Sequence, residues 1–199
     1  MKAYFFPMLR AIHLGLDSHR VLFDAILRAD RKSQVAKPLN LLDKFDCKLP
    51  KERKCAAHMI AFDCIDPRSA RIKAYTRSYQ VSINNICGMF TLGGQLTDPA
   101  MVKGLEILKD ILPHLLALEE HRAKDGILTP PNCLRLHGGF VAAYEFTPDH
   151  PVPEVKVYIP VWCYAVTDKA VGEGLAACLQ RIGWDAEAMS CSPDLKVIL

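Results

Sequence analysis

Three short segments of the chain repeat one pattern, a cation followed two positions later by a tyrosine. They are Lys2-Ala3-Tyr4, Arg71-Ile72-Lys73-Ala74-Tyr75 and Lys156-Val157-Tyr158. Lysines 2, 73 and 156 stand 71 and 83 positions apart, as equivalent places in a repeated unit would. Along a strand, residues i and i+2 share a face. Lys2, Tyr4, Arg71, Lys73, Tyr75, Lys156 and Tyr158 then point one way, and Ala3, Ile72, Ala74 and Val157 the other. The apolar face can bury against helices, so the cationic and aromatic face must meet water or an anion. Four cations in a confined space are costly unless an anion pairs with them. A diphosphate suits them, because Arg and Lys give charge-assisted bonds to its oxygens. Tyrosine hydroxyls can bond phosphate, and tyrosine ring faces stabilise a cation. Ionising an allylic diphosphate requires this combination: a held leaving group and a carbocation kept from water. Alternating lysine and tyrosine also occur on the solvated face of an ordinary antiparallel sheet. Residue types alone leave both readings open.

The elements that must position these residues follow from periodicity and turn chemistry. Lys2 to Phe6 is aromatic and β-prone, and Pro7 stops it. Ser18 to Asp30 has helical spacing, with Val21, Leu22, Ala25, Ile26 and Ala29 on one face and Asp17 or Ser18 as cap. Residues 31–56 are basic and interrupted by Pro38 and Pro50, which predicts a loop with one short helix around Leu39 to Phe45. Arg28, Arg31, Lys32 and Lys37 read as solvated surface. Ala57 to Cys64 and Arg71 to Arg77 predict a hairpin about the turn Asp66-Pro67-Arg68-Ser69. Asp63 and Asp66, at that turn, are assigned local hydrogen-bonding roles. Val81 to Phe90 predicts a helix ending at Gly93-Gly94, read as a cap or turn. Asp98 caps a long helix through about Glu120, kinked at Pro113. Arg122 and Lys124 follow it and complement its dipole, and Asp125 to Arg135 reads as loop. Gly139 to Thr147 and Val155 to Tyr164 predict a second hairpin, and Thr167 to Ile182 a final helix. Ser190 to Leu199 has no clear periodicity.

Pairs of antiparallel strands thus alternate with pairs of helices, unlike the single β-α alternation of a parallel doubly wound sheet. The expected fold class is α+β. If the sheet closes into a barrel with helices outside, the cationic face becomes its lumen.

Composition narrows the rest. The 199 residues are 50% hydrophobic and 24% charged, with net charge +3, which fits a globular protein and gives no dense basic stripe for nucleic acid. Eight cysteines show no C-x-x-C spacing and read as mostly buried, reduced residues of an intracellular protein. His13, His19 and His58 match no zinc spacing, and no metal site is expected. Pro7 and Arg10 break the N-terminal apolar run, and no cleavage site follows. The run from Tyr158 to Val166 falls short of the roughly 18 residues of a membrane span. A cytoplasmic location, without membrane association, is expected.

The chain resembles the fungal aromatic prenyltransferases of the dimethylallyltryptophan synthase type. Lys2-Ala3-Tyr4-Phe5-Phe6-Pro7, Asp63-Cys64-Ile65-Asp66-Pro67 running into Ser69-Ala70-Arg71-Ile72-Lys73-Ala74-Tyr75, Thr91-Leu92-Gly93-Gly94 and Pro153 to Val161 carry the resemblance, in order and spacing. It implies an ABBA fold, an antiparallel barrel with helices outside built from ββαα repeats, of which this single domain would be the middle part, a half-barrel incomplete at both ends. It implies that Lys2, Arg71, Lys73 and Lys156 grip dimethylallyl diphosphate, the co-substrate, and that Tyr4, Tyr75 and Tyr158 shield the allyl cation. It implies metal-independent transfer to an indole or other aromatic acceptor, with no cofactor required. Trp162, which shares the parity of Lys156, and Tyr144 are candidates for the acceptor pocket. The family's proton-accepting acid lies in the part expected to precede this chain, so no general base is assigned here. The chain departs from the family at Gln95 and at Trp162-Cys163, where basic or histidine residues are favoured. About five strands would need a second copy or another chain to close a barrel. The alternative is a non-catalytic half-barrel partner, or a degenerate fragment, that binds a diphosphate.

Overall fold

The computed structural model describes residues 1–30, 32–66, 68–115, 138–164 and 167–194. Five antiparallel strands form one sheet in sequential order: β1 (Lys2–Phe5), β2 (Ala56–Asp63), β3 (Ile72–Ser78), β4 (Phe140–Phe146) and β5 (Glu154–Tyr158). Among the described residues the sheet is not closed on itself, and β1 and β5 are its edges. Seven helices accompany it among the described residues: α1 (Pro7–Leu14), α2 (Ser18–Ala29), α3 (Ala36–Lys48), α4 (Ile83–Phe90), α5 (Pro99–Leu115), α6 (Asp168–Arg181) and α7 (Asp185–Asp194). The order is a strand with three helices, then twice a strand pair followed by two helices. The expected α+β alternation of antiparallel strand pairs with helix pairs is therefore present.

The chain divides into two compact units. One comprises residues 1–79, 88–96 and 140–158 and contains the whole sheet; the other comprises 80–87, 97–139 and 159–199. In the first unit, strict alternation along β3 divides the sheet into two faces. Ile72, Ala74, Thr76 and Ser78 are buried, and Lys73, Tyr75 and Arg77 are half-buried. The buried face continues through Ile60, Tyr144, Phe146 and Val155 and forms a core with Leu22, Ile26, Leu39, Leu42 and Phe45 of the helices. The second unit is held in part by Arg181, whose Nε donates to Asp110 Oδ2 at 2.7 Å, joining α6 to α5.

Local chemistry explains most boundaries. Asp17 caps α2 by accepting from the Arg20 amide at 2.9 Å, and Thr167 caps α6 by accepting from Ala170 at 3.1 Å. Asp98 Oδ1 accepts from the amides of Ala100 and Met101 at the start of α5. Leu92, Gly93 and Gly94, all at positive φ, turn the chain after α4, and Thr91 Oγ1 accepts from the Gly94 amide.

Several expectations are corrected. Pro7 does stop β1, but it also opens α1, where its fixed φ and missing N–H cost nothing. The region read as a loop with one short helix holds the 13-residue α3, because Pro38 falls in its first turn. β5 ends at Tyr158 rather than Tyr164, since Pro160 cannot extend the ladder, and a 3-10 turn, Val161–Cys163, follows. Asp185–Asp194 is helical where no periodicity was legible. Of the seven described cysteines only Cys55, Cys163 and Cys178 are buried. Arg31, Leu116 to Glu120, Arg122, Lys124, the Asp125–Arg135 segment, Cys133 and the last five residues lie outside the described residues.

Candidate functional site

Directly opposed residues of an antiparallel pair share a face, so the register fixes what the cationic face contains. Lys2 opposes Asp63, and Tyr4 opposes Ala61. Ala61 opposes Lys73, and Met59 opposes Tyr75 after a bulge at His58. Lys73 opposes Glu145, and Tyr75 opposes Ala143. Ala143 opposes Lys156, and Val141 opposes Tyr158. All four cations and all three tyrosines therefore stand on one face, each from its expected strand. Small residues, Ala61 and Ala143, oppose Lys73 and Tyr75 on this face.

The centre of this face is a residue that the sequence reading did not single out. Glu145 is buried, with 7% of its side chain exposed. Its Oε1 accepts from Arg71 Nη1 at 2.8 Å, and its Oε2 lies 2.5 Å from Lys73 Nζ and 4.0 Å from Lys156 Nζ. Arg71 Nε also donates to Asp63 Oδ2 at 2.8 Å. A chain of alternating charge runs across the sheet from Lys2 through Asp63, Arg71 and Glu145 to Lys73 and Lys156. A lone acid in the otherwise apolar strand Phe140–Phe146 was the available signal, because a buried carboxylate demands a cation. Glu154 opposes Glu145 and is exposed.

The electrostatics follow the contacts. Burial raises the Glu145 carboxyl, but Lys73 and then Arg71 outweigh it and hold it below the usual carboxylate range. Arg71 lowers Asp63, and Lys2 adds to that effect. The pairing with Glu145 raises Lys73 against the cost of its burial. Burial pushes the Tyr75 phenol up; Lys73 opposes this, and Tyr158 and Tyr4 reinforce it from either side. The cations keep outward reach: 41% of the Arg71 side chain and 57% of the Lys156 side chain are exposed, against 16% of Lys73.

One expected acceptor residue, Tyr144, stands elsewhere on the sheet. Tyr144 opposes Ala74 and Val155 on the helix-covered face. It is fully buried there, and its hydroxyl donates to the Met89 carbonyl at 3.3 Å. Strand alternation puts its neighbour Glu145 on the cationic face and therefore excludes Tyr144. Trp162 lies in the 3-10 turn beyond β5, so the parity that linked it to Lys156 does not extend to it. Asp66 is local, as expected, accepting from the Arg68 amide and guanidinium. Asp63 instead bridges to Arg71 within the cation set.

A cavity of about 550 Å³ beside the β2–β3 turn is lined by Asp30, Gln34, Phe62, Asp66, Arg68 and Ile72, among others. It contains none of the four cations or three tyrosines. Arg68 pairs there with Asp66, Asp30 caps the amides of Gln34 and Val35, and Asp63, also in its lining, is held by Arg71. Among the described residues no group of three or more His, Cys, Asp or Glu could hold a metal ion, and no helix is long and apolar enough to cross a membrane.

Comparison with known proteins identifies this arrangement. Residues 1–193 match the family model described as tryptophan dimethylallyltransferase. The O-glucose prenyltransferase PaPT of Phomopsis amygdali is 30% identical over 195 residues, which cover 94% of this chain and 42% of that protein. A 7-dimethylallyltryptophan synthase of Aspergillus fumigatus is 30% identical over 186 residues, covering 92% of this chain and 38% of that protein. The crystal structure of AnaPT from Neosartorya fischeri superposes with a TM-score of 0.74 at 27% identity, over 97% of this chain and 43% of that one. The shared α+β arrangement is the ABBA prenyltransferase fold. The chain spans about two fifths of the length of these relatives. With its fold and residues 1–193 of its 199 matched, the chain belongs to the tryptophan dimethylallyltransferase family.

Proposed function

We propose that this chain forms the diphosphate-binding part of an aromatic prenyltransferase acting on dimethylallyl diphosphate and an indole or other aromatic acceptor. The observation that carries the reading is the single face on which Lys2 stands with Arg71, Lys73 and Lys156, the last three around Glu145, beside Tyr4, Tyr75 and Tyr158. The cations hold the diphosphate as its bond to the allyl carbon breaks and the electron pair leaves with oxygen. Their four positive charges stand where a metal-dependent enzyme would use a divalent ion, so the transfer is read as metal-independent and without a cofactor. The tyrosine rings face the allyl cation and keep water from it. The aromatic acceptor attacks that cation and then loses a proton to a base. Asp63 and Glu145 are both committed to Arg71, so neither serves as that base.

The relatives' names, a dimethylallyltryptophan synthase among them, support an allylic donor and an aromatic acceptor. The eight cysteines, without C-x-x-C spacing in a chain of this length, support a cytoplasmic location. The two edge strands support a further reading, that the chain closes its sheet with more strands, from a second copy or another chain. In that form it is a single prenyltransferase-like domain, or a non-catalytic half of one. Incubation with dimethylallyl diphosphate and a panel of indoles, followed by mass spectrometry, tests the catalytic reading. An acceptor carrying one added isoprenyl unit supports it. Diphosphate binding without any such product in a folded sample replaces it with the non-catalytic one.

A further inference from the structure

Glu145 occupies a position that a substrate diphosphate cannot share. Both its oxygens meet cations, Arg71 on one side and Lys73 with Lys156 on the other, and it is buried beneath them. Arg71 and Lys156 keep outward reach above it. Among the described residues the four cations share this face with three carboxylates, Asp63, Glu145 and the exposed Glu154, so the cluster is partly neutralised and still positive.

Two opposing effects follow for an arriving anion. Glu145 holds the cations side by side, which spares the ligand some of the cost of ordering them. It also places a fixed negative charge within a few ångströms of wherever phosphate oxygens meet Arg71 and Lys73, in a half-buried setting where screening is weak. Arg71 is held by Asp63 as well, and Lys156 only reaches Glu145 at 4.0 Å, so the ordering is mainly that of Lys73 and is a small effect, whereas a weakly screened like charge acts on every charge of the diphosphate. The repulsion outweighs the ordering.

We propose that Glu145 is an internal counter-anion that sets the affinity of the cation cluster for diphosphate: it keeps the site assembled when empty and weakens the grip on diphosphate enough for the released product to leave. This deepens the reading given above and rests on it. Glu145 acts through Arg71, Lys73 and Lys156, as a positioning residue.

The test is calorimetric titration of the full chain and its variants with inorganic pyrophosphate at low and raised salt. Glu145→Gln keeps the size and removes the charge, and is expected to bind pyrophosphate about tenfold tighter, equivalent to about 1.4 kcal/mol. The gain should shrink only slightly as salt rises, because the site is half-buried. Glu145→Asp, which keeps the charge, should stay near wild-type affinity; a packing role would instead make it as defective as other substitutions. If Glu145→Gln does not fold, Glu145→Met, of similar length, carries the same expectation. Wild-type or weaker affinity in the folded neutral variants, with the wild type binding, overturns the inference and leaves the diphosphate site standing. Silence from wild type and variants alike overturns the site and the inference together.

Discussion

Lys73 Nζ lies 2.5 Å from Glu145 Oε2, and the two residues are directly opposed between β3 and β4. The pair couples stability to pH. Glu145 and Asp63 titrate below their ordinary values of 4.5 and 3.8, so their contributions are present above those values and are lost as pH falls through the lower folded ones. Lys73 titrates above 10.5, so its contribution is present below that value and is lost as pH rises through the raised one. From these groups, stability is level between about pH 5 and 10 and declines on the acid side below about 4.5. Urea denaturation across that range checks it. Glu145→Gln should shallow the acid limb, and an unchanged limb would mean that the carboxylate does not stabilise the fold.

Tyr144→Phe removes a buried hydroxyl whose acceptor is the Met89 carbonyl, on the face away from the cations. It should cost about 1 kcal/mol of stability. Diphosphate and acceptor binding should be unchanged, as followed by denaturation and titration of one preparation. A selective loss of acceptor binding would restore Tyr144 to the acceptor pocket.

Tyr75→Phe keeps the ring among Tyr4, Tyr158 and Lys73 and removes only the hydroxyl. Diphosphate affinity should fall by about 0.5–1.5 kcal/mol if that hydroxyl bonds phosphate. Turnover, where it is measured, should survive, because the ring face remains to shield the cation. Titration and product assays with the same variant separate the two roles.

Gly93 has φ +68°, and a Cβ there would lie 3.2 Å from Cδ2 of Phe45. Gly93→Ala should destabilise the first unit by about 1–2 kcal/mol, from the left-handed backbone alone. The shift in the urea midpoint measures it. No change would mean that the turn after α4 relaxes freely.

The repeated cation-x-tyrosine pattern was enough to place seven residues on one face, because strand alternation is a local property and each segment carried it intact. The same rule fails at Trp162, where Pro160 ends β5, and nothing in the parity count registers that stop. Tyr144 shows the complementary limit. Its strand is apolar on both faces except at Glu145, so only the register with β3 and β5 shows which residues face the cations. The turn formers beside Asp63 in the sequence point to a local role, whereas its partner Arg71 stands across the hairpin. The helix α1 was hidden by a proline that ends a strand and begins a helix with the same bond geometry.

The central claim is that the face of Lys2, Arg71, Lys73 and Lys156 binds an allylic diphosphate. Its most direct test is calorimetric titration of wild type and Lys73→Ala with a non-hydrolysable dimethylallyl diphosphate analogue, with folding checked by circular dichroism. Saturable binding by wild type, weakened by about 1.5–3 kcal/mol in Lys73→Ala, is the predicted result. A folded wild type that does not bind, or a variant that binds equally well, would contradict the account.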